Sequence, residues 1–109
     1  MTKWEKNLAT YDKIVDQCPG FERKGKTMPY TSANGHMFSL LNKDGELGIR
    51  FSKNIQKEYL DKFNTSKFRS YGAEMRGYIK IPEELLRDHD LIAALLNESF
   101  EYVRSLPPK

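Results

Sequence analysis

The sequence predicts one α+β domain over residues 1–109, with the element order α-β(3)-α-β(2)-α and an antiparallel sheet that has its helices packed on one face. Two hairpin turns predict the sheet. Asn34-Gly35 and Asp44-Gly45 separate three short strand-forming runs, and both dipeptides tolerate the positive φ that tight hairpins require. Three segments with apolar residues at three- or four-residue steps predict the helices.

The first helix is predicted from an apolar stripe near the start of the chain. The stripe contains Trp4, Leu8, Tyr11, Ile14 or Val15, and Cys18. Pro19-Gly20 should end this helix, because proline disfavours the helical conformation at the residue before it and glycine reverses the chain at low cost.

The first three strands are predicted over 30–32, 36–41 and 46–51, on either side of the two turns. In the third strand Leu47, Ile49 and Phe51 alternate with Gly48 and Arg50. Side chains alternate across a strand, so the three apolar residues should share the buried face.

The second half of the chain contains the second and third helices and the last two strands. Ser52 or Asn54 can cap the second helix, whose buried stripe is Ile55, Tyr59, Leu60 and Phe63. Strands follow at 68–71 and 75–81, with a turn at Gly72-Ala73. Pro82 opens the last helical region, a break is expected at 88–90, and an apolar stripe then continues from Ile92 to Val103.

Charge is unevenly distributed along the chain, although the net charge is only +3. Residues 50–80 contain eight Lys or Arg against three acids, and residues 81–104 contain two against six. Such a dipolar chain can steer a charged partner. No apolar run approaches the roughly 20 residues that span a bilayer, so no membrane partner is expected. The single cysteine allows no internal disulfide, and we expect a cytoplasmic protein.

Residues 20–27 match the phosphate-binding pattern G-x-x-x-x-G-K-[ST]. A functional loop of this kind needs a strand before it and a helix that begins at Lys26-Thr27. Here a helix is predicted before the match and a strand after it. The match is therefore interpreted as a turn that happens to be basic.

No other residues predict catalysis. Cys18 has no histidine near it in sequence and lies on an apolar stripe, which is typical of a small buried side chain. His36 and His89 are far apart on different elements and match no zinc spacing. We therefore expect a non-enzymatic protein without catalytic residues, cofactor or metal.

The basic segment 50–80 is the main candidate for binding. Its cationic residues alternate with Tyr59, Phe63, Phe68 and Tyr71, a composition that suits single-stranded nucleic acid. However, the helix also needs Tyr59 and Phe63 for its core. A protein-interaction patch is the leading interpretation and nucleic-acid binding the alternative. The predicted patch is Arg50, Lys53, Lys57 and Arg76.

From about residue 25 to 109, the chain resembles the TfoX N-terminal domain family, named after regulators of bacterial natural competence. Four segments carry the resemblance: 34–41, 45–51, 75–86 and 99–109. The resemblance implies a fold like that of type III secretion chaperones, no catalytic residues, and a regulatory or protein-interaction role with an unidentified protein or with a second copy in a homodimer.

Two departures from the family pattern limit what is carried over. Met28-Pro29-Tyr30 stands where typical members have a glycine-rich entry. The competence regulators also have a C-terminal domain beyond the region of resemblance, so a competence role is not inherited.

Overall fold

The computed structural model describes residues 2–109 and has the predicted α+β architecture. The elements are α1 (Lys3–Val15), β1 (Tyr30–Ala33), β2 (His36–Leu41), β3 (Leu47–Arg50), α2 (Lys53–Lys62), β4 (Lys67–Ser70), β5 (Ala73–Lys80), a 3-10 helix (Glu83–Arg87) and α3 (His89–Arg104). The five strands form one antiparallel sheet in the order β1-β2-β3-β5-β4. The fold class and the element order are confirmed.

The first helix begins as its sequence indicates but ends earlier than predicted. Thr2 and Glu5 form a reciprocal capping box at its start. It ends at Val15, and Cys18 lies in a following tight turn, where its N–H donates to Val15 O at 2.9 Å. The chain turns before Pro19-Gly20, and this places the Cys18 and Phe21 side chains in the core.

The main core lies between one face of the sheet and all three helices. Its fully buried members come from α1 (Tyr11, Ile14), β2 (Phe38, Leu41), β3 (Leu47, Ile49), β5 (Ile79) and α3 (Ile92, Leu96, Val103). Helix α2 contributes half-buried side chains, Ile55, Tyr59 and Leu60, and no fully buried one. The predicted packing of the helices on one face is confirmed.

A β-bulge in β2 turns two consecutive side chains towards the helices. Thr31 pairs with Ser39 and Ser32 pairs with Met37, so Phe38 is the extra residue. The Phe38 ring packs against Phe21, with centroids 5.0 Å apart. Ser39 Oγ hydrogen-bonds the Tyr11 hydroxyl on α1. Beyond the bulge, Leu40 faces the opposite side of the sheet.

A second, smaller cluster covers that opposite side. It consists of Leu40, Phe68 and Tyr78, all nearly inaccessible to solvent. The Phe68 ring lies directly over Gly48 of β3, where an added Cβ would be 2.3 Å from the ring. Gly48 therefore leaves room for the Phe68 ring, which reaches from β4 across the sheet face to β3.

The first three strands form the predicted meander, but the second and the last turns differ in detail from the sequence expectation. At the second, Gly45 has positive φ (80°) and Asp44 does not, and the loop is closed by the Asn42 N–H donating to the Glu46 carbonyl at 2.9 Å. Asn34 and Gly35 have φ of 58° and 79°, as expected for a tight two-residue hairpin. The last hairpin turns at Tyr71-Gly72 (φ 54° and 76°), one residue earlier than the predicted Gly72-Ala73. Glycine takes the second of the two positive-φ positions, so β5 already begins at Ala73.

The predicted helix starts and the predicted break are confirmed. Ser52, one of the two expected caps, precedes α2 and accepts a hydrogen bond from the Ile55 N–H at 3.4 Å. Asp88 ends the 3-10 helix and caps α3, where its carboxylate accepts from the Leu91 N–H at 3.2 Å. Within residues 2–109, no helix has both the length and the apolar character needed to cross a bilayer.

Candidate functional site

A basic groove lies where the end of β3, the start of α2, the β4–β5 hairpin and α3 meet. Its volume is about 510 Å³. The lining residues are Arg50, Phe51, Lys53, Gln56, Lys67, Glu74, Arg76, Gly77 and Tyr102. Four cations and one carboxylate give the lining a net charge of +3. Four other cavities in the described part of the chain have lining charges between −2 and +1.

Arg50 is the most firmly positioned cation of the basic groove. It is the last residue of β3, and its carbonyl accepts a hydrogen bond from the Ser99 hydroxyl of α3. Its guanidinium carbon lies 5.8 Å from the centroid of the Tyr102 ring, within the range of a cation–π interaction. The first contact fixes the Arg50 backbone, and the second holds its half-buried side chain at the groove before any ligand arrives.

Gly77 makes room for the Arg50 side chain. Its φ is +87°, which favours glycine, and an added Cβ would lie 3.3 Å from Arg50 Cγ. The Gly77 carbonyl accepts from the Phe51 N–H at 2.9 Å, which joins β5 to the chain just beyond β3. A side chain at this position would both strain the backbone and crowd Arg50.

Lys53 lies at the N-terminus of α2, where a positive side chain is electrostatically unfavourable. The first turns of α1 and α3 contain Glu5 and Asp90, but that of α2 contains no acid. A cation at the positive end of the helix dipole costs roughly 0.3–1 kcal/mol. The N-terminus of α2 therefore adds to the positive potential of the basic groove instead of being neutralised within the chain.

The β4–β5 hairpin supplies two cations of the basic groove: Lys67, which is ion-paired, and Arg76, which is not. Lys67 Nζ lies 3.5 Å from Glu74 Oε1, so the only carboxylate of the lining is already engaged. Within residues 2–109, Arg50, Lys53 and Arg76 form no ion pair. Three cations of the groove are thus left without a counter-charge.

The structure brings together three residues of the predicted patch. Arg50, Lys53 and Arg76 line the basic groove, whereas Lys57 does not. Lys57 is exposed on α2, four residues beyond Lys53 and so about 6 Å further along the helix axis. Because the groove meets only the first turn of α2, Lys57 adds charge near it without lining it.

Other lining residues were not predicted from the sequence. Tyr102 lies at the edge of the apolar stripe of α3, three residues after the buried Ser99, and spacing alone does not mark it as a groove residue. Gln56 donates from Nε2 to the Tyr78 carbonyl at 3.0 Å and so fixes α2 against β5. The positive φ of Gly77 carries no mark in the sequence beyond the glycine itself.

The aromatic residues of the basic segment do not form a stacking surface. Tyr59 and Phe63 pack with Phe51 on the core side of α2, and Phe68 is fully buried on the other face of the sheet. Tyr71 is 65% exposed, but it lies at the β4–β5 turn with Lys43 Nζ 5.6 Å from its ring centroid. The predicted alternation of cations and aromatics is therefore not present on one surface.

The segment 20–27 does not have the structure of a phosphate-binding loop. Lys24 and Tyr30 pair through backbone hydrogen bonds of 2.7 and 2.8 Å, and the residues between them form a turn. Gly25 has φ of +81° in that turn. The chain enters β1 after Pro29, so within residues 2–109 no helix begins at Lys26-Thr27, as a phosphate-binding loop would require. The interpretation of this match as a basic turn is confirmed.

Cys18 is a buried thiol that belongs to the core, as predicted. Its Sγ contacts the Ile14 carbonyl at 3.6 Å and Asn97 Nδ2 at 3.9 Å. Burial raises the pKa of the Cys18 thiol, which disfavours the reactive thiolate.

The two histidines lie on different parts of the fold. His36 Nε2 lies 2.8 Å from the Pro107 carbonyl, and His89 is the first residue of α3. Within residues 2–109, no three His, Cys, Asp or Glu side chains are grouped so that they could hold a metal ion.

Comparison with known proteins does not assign the chain to a family. No protein-family model matches it, and no curated protein matches it.

Proposed function

We propose that this chain is a small non-enzymatic regulatory or protein-interaction domain, resembling the TfoX N-terminal domain, that binds its partner through the basic groove. The observation that carries the proposal is the convergence of Arg50, Lys53 and Arg76 on one cavity without internal counter-charges. A folded chain gains nothing in stability by grouping unpaired cations, because like charges repel one another. A partner that supplies the missing negative charge accounts for the arrangement.

The rigidity of the basic groove also supports a binding role. Arg50 is held by Tyr102 and by the bond between its carbonyl and Ser99, and Gln56 fixes α2 to β5. A side chain that is already ordered loses less conformational entropy when it binds, about 0.5–1.5 kcal/mol less than a free one.

Affinity capture with paired variants tests the proposal. The immobilised chain is exposed to a lysate of the source cells and compared with Lys53→Glu/Arg76→Glu, which reverses two exposed charges of the basic groove. The control is Lys26→Glu/Arg87→Glu, which changes the net charge equally at exposed positions outside the groove. We expect proteins that the parent and the control retain and the groove variant loses.

Self-association is tested in parallel, because a second copy is one of the proposed partners. Sedimentation equilibrium at micromolar concentration should show a dimer if the groove binds another copy, and Lys53→Glu/Arg76→Glu should dissociate it. A monomeric chain that retains no protein, or that retains the same proteins after Lys53→Glu/Arg76→Glu, would contradict the proposed function.

A further inference from the structure

We infer that the basic groove binds an acidic segment of a partner protein, whose carboxylates occupy the positions next to Arg50, Lys53 and Arg76. This inference rests on the proposed function and adds the chemistry of the partner. Charge complementarity carries it, because the lining has a net charge of +3 and its only carboxylate is paired with Lys67. Aspartate and glutamate side chains supply the opposite charge in proteins.

The donors of the basic groove match carboxylates in geometry as well as charge. Arg50 and Arg76 each present a planar fork of N–H groups that can bind a carboxylate through two parallel hydrogen bonds. Lys53 adds a mobile third cation at the helix start. Within residues 2–109, the backbone N–H groups of Lys53 and Asn54 have no acceptor, as is usual for the first turn of a helix. They add further donors near the same site.

The extent of the free charge favours a short acidic segment over a nucleic acid. For comparison, a protein that holds double-stranded DNA through about 6–10 phosphates uses a cation for each, whereas the basic groove offers three unpaired cations. Glu98 also lies one helical turn before Tyr102 on the same side of α3, where its carboxylate accepts a hydrogen bond from the Tyr59 hydroxyl at 2.6 Å. A long polyanion that extended along α3 from Tyr102 would meet this carboxylate, while a segment of a few residues would not.

Tyr102 gives the site a second kind of contact. Its ring is half-buried beside Arg50, and the buried residue Phe51 also lines the groove. An aromatic or aliphatic side chain between two acidic ones could therefore pack against Tyr102. The expected segment is acidic with an apolar residue in its centre, not uniformly charged.

Fluorescence anisotropy with defined probes tests the inference. The first probe is a labelled ten-residue peptide with aspartate or glutamate at alternate positions and one central leucine. The second is the same peptide with every acid replaced by its amide, and the third is a labelled ten-nucleotide thymidine strand. We expect the acidic peptide to bind most tightly, and the amide peptide to bind at least about tenfold more weakly, which corresponds to 1.4 kcal/mol.

Matched variants localise the binding. Lys53→Gln/Arg76→Gln should raise the Kd of the acidic peptide at least about tenfold, because it removes two cations of the groove. Both positions are exposed, so the replacement should leave the fold intact. Lys26→Gln/Arg87→Gln should leave the Kd within about twofold. Tyr102→Ala, checked for folding by circular dichroism, should weaken the leucine-containing peptide more than one with glycine at that position.

The inference is overturned if the acidic peptide does not bind up to millimolar concentration, or if both double variants weaken it equally. Preferential binding of the thymidine strand would also overturn it, and would instead support the nucleic-acid alternative. These results can be distinguished from a failure of the proposed function itself. If the capture experiment succeeds while the acidic peptide does not bind, only the chemistry assigned to the partner is wrong.

Discussion

The contact between Gly48 and Phe68 allows a quantitative test of how the Phe68 ring packs over β3. Replacing Gly48 with alanine puts a methyl group 2.3 Å from the Phe68 ring, whereas ordinary contacts begin at 3.4 Å. The ring would have to move by about 1.1 Å, but it is fully buried between Leu40 and Tyr78. Overpacking of this kind typically costs about 1–3 kcal/mol.

The sign of the stability change on Gly48→Ala shows whether the added methyl group clashes with the Phe68 ring. A protein with glycine inside a strand is normally less stable than one with alanine there by roughly 0.5–1 kcal/mol, because glycine gives the unfolded chain more conformational entropy. Without the clash, Gly48→Ala should therefore stabilise the protein. With the clash we expect it to lower the free energy of unfolding by about 1–3 kcal/mol, measured by urea denaturation followed by far-UV circular dichroism.

A double-mutant cycle assigns that cost to the ring. Phe68→Ala should itself cost about 3–5 kcal/mol, and it removes the ring atoms that the added methyl group at position 48 would meet. In that background Gly48→Ala should be neutral or stabilising, so the two changes should couple by more than about 1 kcal/mol. A Gly48→Ala protein as stable as the parent, or additive effects within about 0.5 kcal/mol, would refute the packing argument.

Three further predictions follow from individual side chains. Asn42→Ala should lower the free energy of unfolding by about 2–4 kcal/mol, measured by urea denaturation. The buried Asn42 side chain accepts from the N–H groups of Asp44 and Glu46 and donates to the Arg69 carbonyl, and all three bonds would be lost. A loss under about 1 kcal/mol would contradict this prediction. The hydrogen bond to Glu98 raises the pKa of Tyr59 to about 12, so its contribution to stability is complete below about pH 10 and is lost as the pH rises through 12. Glu98→Gln should move the Tyr59 titration to lower pH, as followed by phenolate absorbance against a Tyr59→Phe reference, and an unchanged curve would count against the bond. Cys18 should react with a thiol reagent at least about a hundredfold faster in urea than in the native protein, and equal rates would show that the thiol is not buried.

Local signals allowed most of the fold to be predicted from the sequence. The Asn34-Gly35 turn and the Asp88 cap depend on the backbone preferences of one or two residues, and both have the expected conformation. The end of α1 was misplaced because it depends on where Cys18 enters the core, which is a tertiary requirement. Elements were thus predictable where short-range preferences determine them.

The basic groove could be predicted only in part. Charge density along the chain indicated Arg50, Lys53 and Arg76, but the same criterion included Lys57, which lies outside the lining. The contribution of Tyr102 could not be foreseen, because it depends on α3 returning to the end of β3 more than fifty residues later. Whether these cations receive a partner's carboxylates remains a prediction for the binding experiments.

The bulge in β2 has a consequence for insertions and deletions in this strand. Residues 36–37 and 39–41 follow alternation patterns that are out of phase by one residue, and Phe38 absorbs the difference. Deleting Phe38 would restore simple alternation, with Met37 and Ser39 on the faces they already occupy. The deletion would remove the Phe38 ring from its contact with Phe21 but would preserve the bond between Ser39 and Tyr11. At this point the strand can therefore lose a residue without a change of register, at the cost of one core side chain.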